Sequence, residues 1–343
     1  MKYNNANYNS SDNSEGKMAF EVGNKKDHSL TLSILASSII LASAWIYTSE
    51  FKTTPEQKAN LVATEQKKQL SELETIVLPS QGVELPVIWG DLGKKLVDDG
   101  VIDADKFKAI YEQRETFTEK YKNLLFGTNN EKLKITNENS GYLLNLLWAL
   151  GLGSKNPILD TGEMVDPKYG GAKGFASTGG WSIAKGSVMD HYSHHSYFNL
   201  TPEQQALVDK VSRGIYRPCC GNSTHFPDCN HGMAMLGLLE LMASQGVSEQ
   251  DMWKTALAVN SYWFPSTYLT LATYMKSQGT EWKNVNPQEM LGSKYSSASG
   301  FRNISSQVTG PTQQNGGGSG CGIDAGGAPQ QQQSQAQQPG CGI

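Results

Sequence analysis

Histidine and cysteine residues are concentrated in one stretch of this 343-residue chain. Five of the six histidines and three of the five cysteines fall between positions 191 and 231. Imidazole nitrogen and thiolate sulfur are the protein donors that zinc and copper prefer. The sequence therefore predicts a transition-metal site, and its candidate ligands are His191, His194, His195, Cys219, Cys220, His225, Cys229 and His231.

The first group of candidate ligands lies in the segment 190–195. On a helix, His191 and His195 would be one turn apart on the same face with His194 beside them, so two imidazoles could reach one ion. Asp190 stands four residues before His194 and could accept its second ring N–H, which would fix the tautomer. This pattern predicts a short helix that supplies part of the site.

The second group lies in the segment 219–231, where Gly221, Asn222 and Pro227 are typical of a tight loop. An apolar helix predicted after Gly232 would fix the far end of this loop. The positive end of that helix would favour thiolate over thiol. The spacing matches none of the C-x-x-C, C-x-x-C-H or H-E-x-x-H motifs, so the density of ligands is the signal.

A protein that binds zinc or copper is the function that this pattern favours. Zinc is the first expectation, and copper stays open because the thioethers of Met189, Met233 and Met235 stand beside the predicted ligands. An alternative is a metal-dependent enzyme, hydrolase-like, in which the same ion activates water. Asp228 or Glu240 would then be the general base.

The cysteines also allow two interpretations without a metal. In an exported domain, Cys220 and Cys229 could form a disulfide, with Cys219 free or paired with Cys321 or Cys341 in the tail. A thiol–disulfide exchange protein would instead use Cys219 and Cys220 as the attacking pair. The nearby histidines favour the metal site, because a disulfide loop has no need of them.

The N-terminal part of the sequence predicts a membrane anchor. A polar segment, 1–28, contains Lys25 and Lys26 near its end and is followed by an apolar run, 29–48, that is long enough to cross a bilayer once. The lysines favour a cytoplasmic N-terminus, which places the rest of the chain outside the cytoplasm. A cleaved signal peptide ending near Ala44 is the alternative, and it also exports the chain.

The remaining sequence predicts one all-α domain between polar flanks. The segment 49–81 is polar and is expected to form a stalk, 82–302 contains successive helical patterns and irregular Gly-rich loops, and 303–343 is a Gly/Gln-rich tail expected to be disordered. The net charge of −4 shows no excess of Lys and Arg of the kind that binds nucleic acid.

Overall fold

The structure is a computed structural model, and it describes residues 54–308. The predicted polar N-terminus, the predicted anchor and almost all of the predicted tail lie outside these residues. Within residues 54–308, none of the helices combines the length and the apolar character that a membrane span requires. The candidate site and the core described below lie within residues 65–308.

The described chain is mostly helical and also contains a two-stranded sheet. The helices are α1 (Pro55–Val77), α2 (Leu92–Asp98), α3 (Ala104–Glu112), α4 (Glu119–Phe126), α5 (Ser140–Gly153), α6 (Pro157–Thr161), α7 (Ala176–Gly179), α8 (Pro202–Gly214), α9 (Asn230–Ser244), α10 (Glu249–Trp263), α11 (Pro265–Ser277), α12 (Pro287–Leu291), α13 (Ser293–Ser296) and α14 (Ala298–Ser305). The strands are β1 (Val83–Gly90) and β2 (Asn129–Ile135). Short 3-10 turns cover Glu163–Val165, Pro167–Tyr169, Ala172–Gly174, Val188–Asp190 and Trp282–Asn284.

The segment predicted as a stalk contains α1, and the C-terminal part of this helix is buried. Leu73, Val77 and Leu78 belong to the hydrophobic core. The core therefore begins before residue 82, where the sequence had placed the start of the domain. The apolar positions near the end of the polar segment are core residues rather than isolated positions on a stalk.

Strands β1 and β2 form an antiparallel ribbon that the all-α prediction did not include. In β1 the side chains of Leu85, Val87 and Trp89 are buried and alternate with less buried neighbours, as expected for a strand with one face on the core. The indole N–H of Trp89 donates to the Leu124 carbonyl at 2.8 Å. This bond attaches the ribbon to α4.

The outer edge of β1 is closed by a side chain from the end of α9. The backbone N–H of Ile88 donates to Oε1 of Gln245 at 2.9 Å, and Nε2 of Gln245 donates to the Ile88 carbonyl at 2.7 Å. The side-chain amide of Gln245 thus takes the place that a neighbouring strand would have at this residue.

Helices α5 and α9 form the centre of the core and cross in antiparallel directions. Both are buried almost all round, as the apolar composition of the segment 139–150 predicts for α5. Their backbones touch because Gly151 and Gly237 face each other. A Cβ atom on Gly151 would lie 2.1 Å from the Met233 carbonyl oxygen, and one on Gly237 would lie 2.6 Å from the Leu147 carbonyl oxygen.

Local sequence signals predict three further helices. Thr201 and Gln204 match a capping box, Ser248 matches a serine N-cap, and apolar residues at helical spacing after Asp103 predict one helix that extends to Tyr121. The capping box of Thr201 and Gln204 is present at the start of α8, and Ser248 caps α10. Both predictions are confirmed. The single helix predicted from Asp103 to Tyr121 is instead two helices, α3 and α4, because the chain turns at Glu115 with a φ of 56°.

Candidate metal centre

The loop that carries two of the cysteines is held at its base by backbone pairing. Tyr216 and Ser223 form an antiparallel bridge, and the Thr224 N–H donates to the Ile215 carbonyl at 2.8 Å. The Cys220 carbonyl accepts from the Ala298 N–H at 2.9 Å. These contacts hold the loop 217–222 beside the N-terminus of α9, where the other two candidate ligands lie.

Cys219, Cys220, Cys229 and His231 form one compact group, which we call the cysteine cluster. The sulfur atoms of Cys219 and Cys229 and a ring nitrogen of His231 lie within 4.8 Å of one another. The same holds for the sulfur atoms of Cys220 and Cys229 and an oxygen of Asp228. The structure thus brings together four of the eight ligands that the sequence predicted.

The distance between the sulfur atoms is that of separate ligands. Sγ of Cys219 lies 3.6 Å from Sγ of Cys229, and none of the three cysteines in the described chain forms a disulfide. A disulfide bond is about 2.05 Å long. A tetrahedral ion with zinc–sulfur bonds of about 2.3 Å separates its sulfur ligands by about 3.8 Å. The observed distance fits ligands that share an ion.

His231 is held in the cluster by α9 and by aromatic packing. It is the second residue of this helix, it is 1% exposed, and its ring lies 4.4 Å from the ring of Phe264, centroid to centroid. Its Nδ1 atom is buried and makes no hydrogen bond within residues 54–308. Because a buried polar atom without a partner is unfavourable by about 1–3 kcal/mol, ligation of an ion here would stabilise the protein.

Cys229 occupies the N-cap position of α9, where the helix dipole stabilises negative charge. Hydrogen bonds from Cys219 and Cys220 hold the pKa of Cys229 well below its usual value, and the Arg217 guanidinium acts in the same direction. The hydrogen bond with Cys220 raises the pKa of Cys219. The direction of these shifts favours the thiolate form at the buried Cys229 over the partly exposed Cys219.

Arg217 is a buried cation beside the cysteine cluster. Its Nη2 atom lies 3.2 Å from Sγ of Cys220 and 2.7 Å from Oδ1 of Asp228. Desolvation opposes its charged form, but the neighbouring sulfurs, Cys229 first, and Asp228 raise the pKa of Arg217 overall. The sequence analysis missed this residue because arginine is not a metal ligand. Its position two residues before Cys219 was the available signal.

Asp228 belongs to the same network. Its carboxylate accepts hydrogen bonds from Arg217 and, at 3.0 Å, from Nδ2 of Asn222. Desolvation raises the pKa of Asp228, and Arg217 opposes this effect. The Asp228 side chain therefore links the loop 217–222 to the chain just before α9.

The segment 190–195 does not form the predicted helix. It follows the 3-10 turn 188–190 and continues in turns, with Ser193 at a φ of 51°. His191 and His195 still meet, because Nδ1 of His191 lies 3.2 Å from Nε2 of His195. His194 is exposed, and no hydrogen bond joins it to Asp190 among the described residues.

The histidines outside the cysteine cluster have partners of their own. In residues 54–308, neither group of mutually close ligand atoms includes His191, His194, His195 or His225. The ring of His225 lies between two carboxylates, with Nδ1 2.8 Å from Glu163 and Nε2 2.9 Å from Asp209. Both of its nitrogens are therefore engaged in holding the loop to α8 and to the turn 163–165.

Met233, Met235 and Glu240 lie on α9, where they are buried. The two methionines belong to the hydrophobic core. Glu240 accepts a hydrogen bond from Nδ2 of Asn156, and burial raises its pKa to about 8. It stands nine residues after His231, which is roughly 13 Å along a helix.

Comparison of the chain with protein-family models, with curated proteins and with solved structures gave no match. The interpretation of the cluster therefore depends on its residues and their geometry.

Proposed function

We propose that this chain is a metal-binding protein in which Cys219, Cys220, Cys229 and His231 bind one zinc ion. The observation that carries the proposal is the meeting, from two separate chain segments, of two groups of donor atoms that share Cys229. One group adds Cys219 and His231, and the other adds Cys220 and Asp228. Three thiolates and one imidazole are a frequent ligand set of structural zinc sites. Four protein ligands close the coordination shell, so the ion would bind the loop 217–222 to α9.

The charges around the cluster support a divalent ion. Three thiolates and the Asp228 carboxylate would carry four negative charges in a buried volume. A divalent ion together with Arg217 offsets three of them. Copper(I) would offset one fewer, and the thioethers of Met233 and Met235 that would favour it are part of the hydrophobic core. We therefore place zinc before copper.

A metal-dependent enzyme is supported less well. Such a site keeps one coordination position open for water, whereas the proposed zinc ion has four protein ligands. Neither predicted general base is suitably placed. Asp228 is tied to Arg217 and Asn222, and Glu240 is about two and a half helical turns from His231.

Thiol–disulfide exchange is also supported less well. An attacking thiol in such proteins is a thiolate that solvent can reach. In this structure the cysteine with the lowered pKa is Cys229, which is fully buried. The pKa of the partly exposed Cys219 is raised. The accessible cysteine, Cys219, is therefore not the one whose pKa favours the nucleophilic thiolate.

We also propose that residues 29–48 anchor the protein in a membrane with the cysteine cluster outside the cytoplasm. The support is the apolar run in the sequence and the lysines before it. Membrane fractions washed at alkaline pH should retain the full-length protein, and protease added to intact cells should cleave it. Release of the protein by the wash would exclude the anchor.

The zinc site can be tested by metal analysis of the full-length protein in detergent after dialysis against a weak chelator. We expect one zinc ion per chain. Cys229→Ser and His231→Ala should each lose it, because three ligands hold zinc more weakly than four. Cys321→Ser and Cys341→Ser, in the tail, are the matched controls and should keep the metal.

Two results would contradict the zinc site. Retention of zinc in both Cys229→Ser and His231→Ala would show that other residues bind it. A Cys219–Cys229 or Cys220–Cys229 disulfide found by mass spectrometry of the native protein would show that the sulfur atoms serve a covalent link. Stoichiometric copper in place of zinc would confirm the ligands and correct the ion.

A further inference from the structure

His195 is fixed in place by backbone hydrogen bonds to the end of α5. The Ser193 N–H donates to the Leu152 carbonyl at 2.9 Å, and the His195 N–H donates to the Gly153 carbonyl at 2.8 Å. The His195 carbonyl in turn accepts from the Lys155 N–H at 2.9 Å. These bonds satisfy carbonyl groups at the helix end and hold the His195 ring between His191 and Asp99.

The hydrogen bonds of the two imidazoles determine which nitrogen of His195 is free. Nε2 of His191 lies 2.8 Å from the Lys185 carbonyl oxygen, which can only accept, so this nitrogen carries a proton. In neutral His191, Nδ1 is then an acceptor and receives the proton of Nε2 of His195 at 3.2 Å. Nδ1 of His195 is left with its lone pair.

This lone pair faces a carboxylate. Nδ1 of His195 lies 3.7 Å from Oδ2 of Asp99, which is the C-cap residue of α2. Two electron-rich atoms at this distance are stabilised by a cation between them. Gly100 follows Asp99 with a φ of 83° and leaves room for the His191 ring, 3.4 Å from the position of a Cβ.

The two atoms open into a surface cavity of about 380 Å³, which we call the histidine pocket. Its lining is polar and consists of Lys95, Asp99, His194, His195, Ser196 and Tyr197. The charge of Lys95 is balanced by Asp91 at 2.9 Å. The Tyr197 hydroxyl is buried beside Asp99, and burial first and this carboxylate second raise the pKa of Tyr197.

We propose that the histidine pocket is a second transition-metal site, in which Nδ1 of His195 and the carboxylate of Asp99 bind a divalent ion such as zinc. His194 lines the same pocket and becomes the third ligand after rotation of its exposed side chain. Water fills the remaining positions, and the Tyr197 hydroxyl lies beside the Asp99 carboxylate. His191 is a positioning residue, since a ligating histidine generally donates its other ring N–H to a neighbouring acceptor.

The two metal sites differ in chemistry and share no residue. The cysteine cluster is buried and rich in sulfur, whereas the histidine pocket is open to solvent and offers nitrogen and oxygen. Its ion should therefore bind more weakly and exchange more readily. The second site does not depend on the first.

Cobalt(II) distinguishes the two sites, because thiolate ligands give an intense charge-transfer absorption that nitrogen and oxygen ligands lack. The full-length protein in detergent, with its cysteine cluster loaded with zinc, is titrated with cobalt. We expect one cobalt ion per chain with weak absorption bands only. His195→Ala and Asp99→Asn should each abolish this binding, and Asp105→Asn, on the surface of α3, should leave it unchanged.

His191 provides the test of the tautomer argument. His191→Ala removes the acceptor for Nε2 of His195 and should weaken cobalt binding roughly 10–100-fold. His191→Asn keeps an acceptor oxygen and should restore most of the affinity. A role limited to packing would not give this rescue.

The helical circular-dichroism signal of each variant shows whether it has folded. Binding of cobalt to His195→Ala with unchanged affinity would overturn the proposal, and so would the absence of weakly absorbing cobalt in the native protein. If the native protein binds cobalt only with thiolate absorption, the histidine pocket fails and the cysteine cluster stands. If Cys229→Ser and His231→Ala both retain zinc, the cysteine cluster fails independently of the histidine pocket.

Discussion

Arg217 places a positive charge where three cysteines and Asp228 would otherwise collect negative charge. Its side chain is 0% exposed, and Nε and Nη1 make no hydrogen bonds in the described part of the chain. Arg217 therefore stabilises the neighbouring negative groups largely through its charge. A buried ion pair contributes little compared with an apolar pair of the same size, but removal of one partner alone is strongly destabilising.

Arg217→Met should lower the free energy of unfolding by about 3–5 kcal/mol, because Asp228 would stay buried without its cation. It should also weaken zinc binding, since one compensating charge is lost. Denaturant titration and competition with a chromophoric chelator measure the two effects. Arg302→Met, on the exposed side of α14, should change neither. Unchanged zinc affinity in Arg217→Met would show that the arginine does not act on the cluster.

Glu240 is a second buried ionisable residue, and burial changes the pKa of its carboxyl group. Burial raises its pKa from the usual 4.5 to about 8, although hydrogen bonds with Ser154 and Asn156 oppose this shift. The folded protein therefore keeps a proton that the unfolded chain has lost. Between these two pKa values, folding takes up a proton, and stability must fall as the pH rises.

Glu240→Gln should remove this pH dependence while keeping the oxygen that accepts from Asn156. The native protein should lose up to about 1.4 kcal/mol of stability per pH unit between pH 5 and 8, relative to the variant. The two proteins should be similar near pH 4.5, and the variant should be more stable at pH 8. Denaturant unfolding across this range, with the metal content held equal, gives the difference. Parallel curves would contradict the raised pKa.

At the scale of elements, the position of the cysteine cluster follows from the crossing of α5 and α9. The first turn of α9 carries Cys229 and His231, and its axis is set by backbone contact at Gly151 and Gly237. A larger residue at this contact would separate the helices, because the atoms that it meets belong to the backbone. A substitution at this contact should therefore destabilise the core and change the geometry of the cysteine cluster.

Gly237→Ala should lower the free energy of unfolding by about 1–3 kcal/mol or more, because the added methyl group would lie 2.6 Å from both Leu147 O and Gly151 N. It should also weaken zinc binding by moving the first turn of α9. Gly174→Ala, which meets no atom within 4 Å, is the matched control. Thermal unfolding and metal analysis test both effects. An unchanged unfolding temperature would show that the helices can separate without loss.

Local signals explain which elements the sequence could predict. A capping box and a serine N-cap act within four residues, so the starts of α8 and α10 were readable. The alternation of Leu85, Val87 and Trp89 was also present, but it is short and Pro86 interrupts it. The turn at Ser193 depends on pairing with α5, which a helical spacing of histidines cannot reveal.

At the scale of the whole molecule, most of the core does not involve the cysteine cluster. The continuous set of buried apolar side chains extends along the chain from Leu73 to Ile304 and includes both central helices. The cluster joins one loop to one end of this core. The ion should therefore add stability to a fold that forms without it, unlike small domains that fold only around zinc.

Removal of the metal by a strong chelator should lower the unfolding temperature and leave the helical circular-dichroism signal nearly unchanged. Bound zinc should contribute about 2.7 kcal/mol when its free concentration is a hundredfold above the Kd. Addition of zinc should restore the unfolding temperature. Loss of most of the helical signal on chelation would show that the core depends on the ion.

Only part of the two candidate sites could be predicted from the sequence, because some of their residues are distant along the chain. Clustering in sequence was enough to find Cys219, Cys220, Cys229 and His231, since the loop and the start of α9 are neighbours along the chain. Asp99 reaches His195 only through the packing of α2 against the rest of the core. A carboxylate this far away in sequence carries no local signal.

The two ends of α9 have separate roles: one positions part of the cysteine cluster, and the other covers the outer edge of β1. Its first turn carries Cys229 and His231 of the cysteine cluster, and Gln245, at its C-cap, forms hydrogen bonds with the Ile88 N–H and carbonyl on the outer edge of β1. An exposed ribbon edge is a template on which strands of other chains can add and aggregate. The glutamine amide blocks that template, so loosening of α9 would disturb the cysteine cluster and uncover a surface for self-association at the same time.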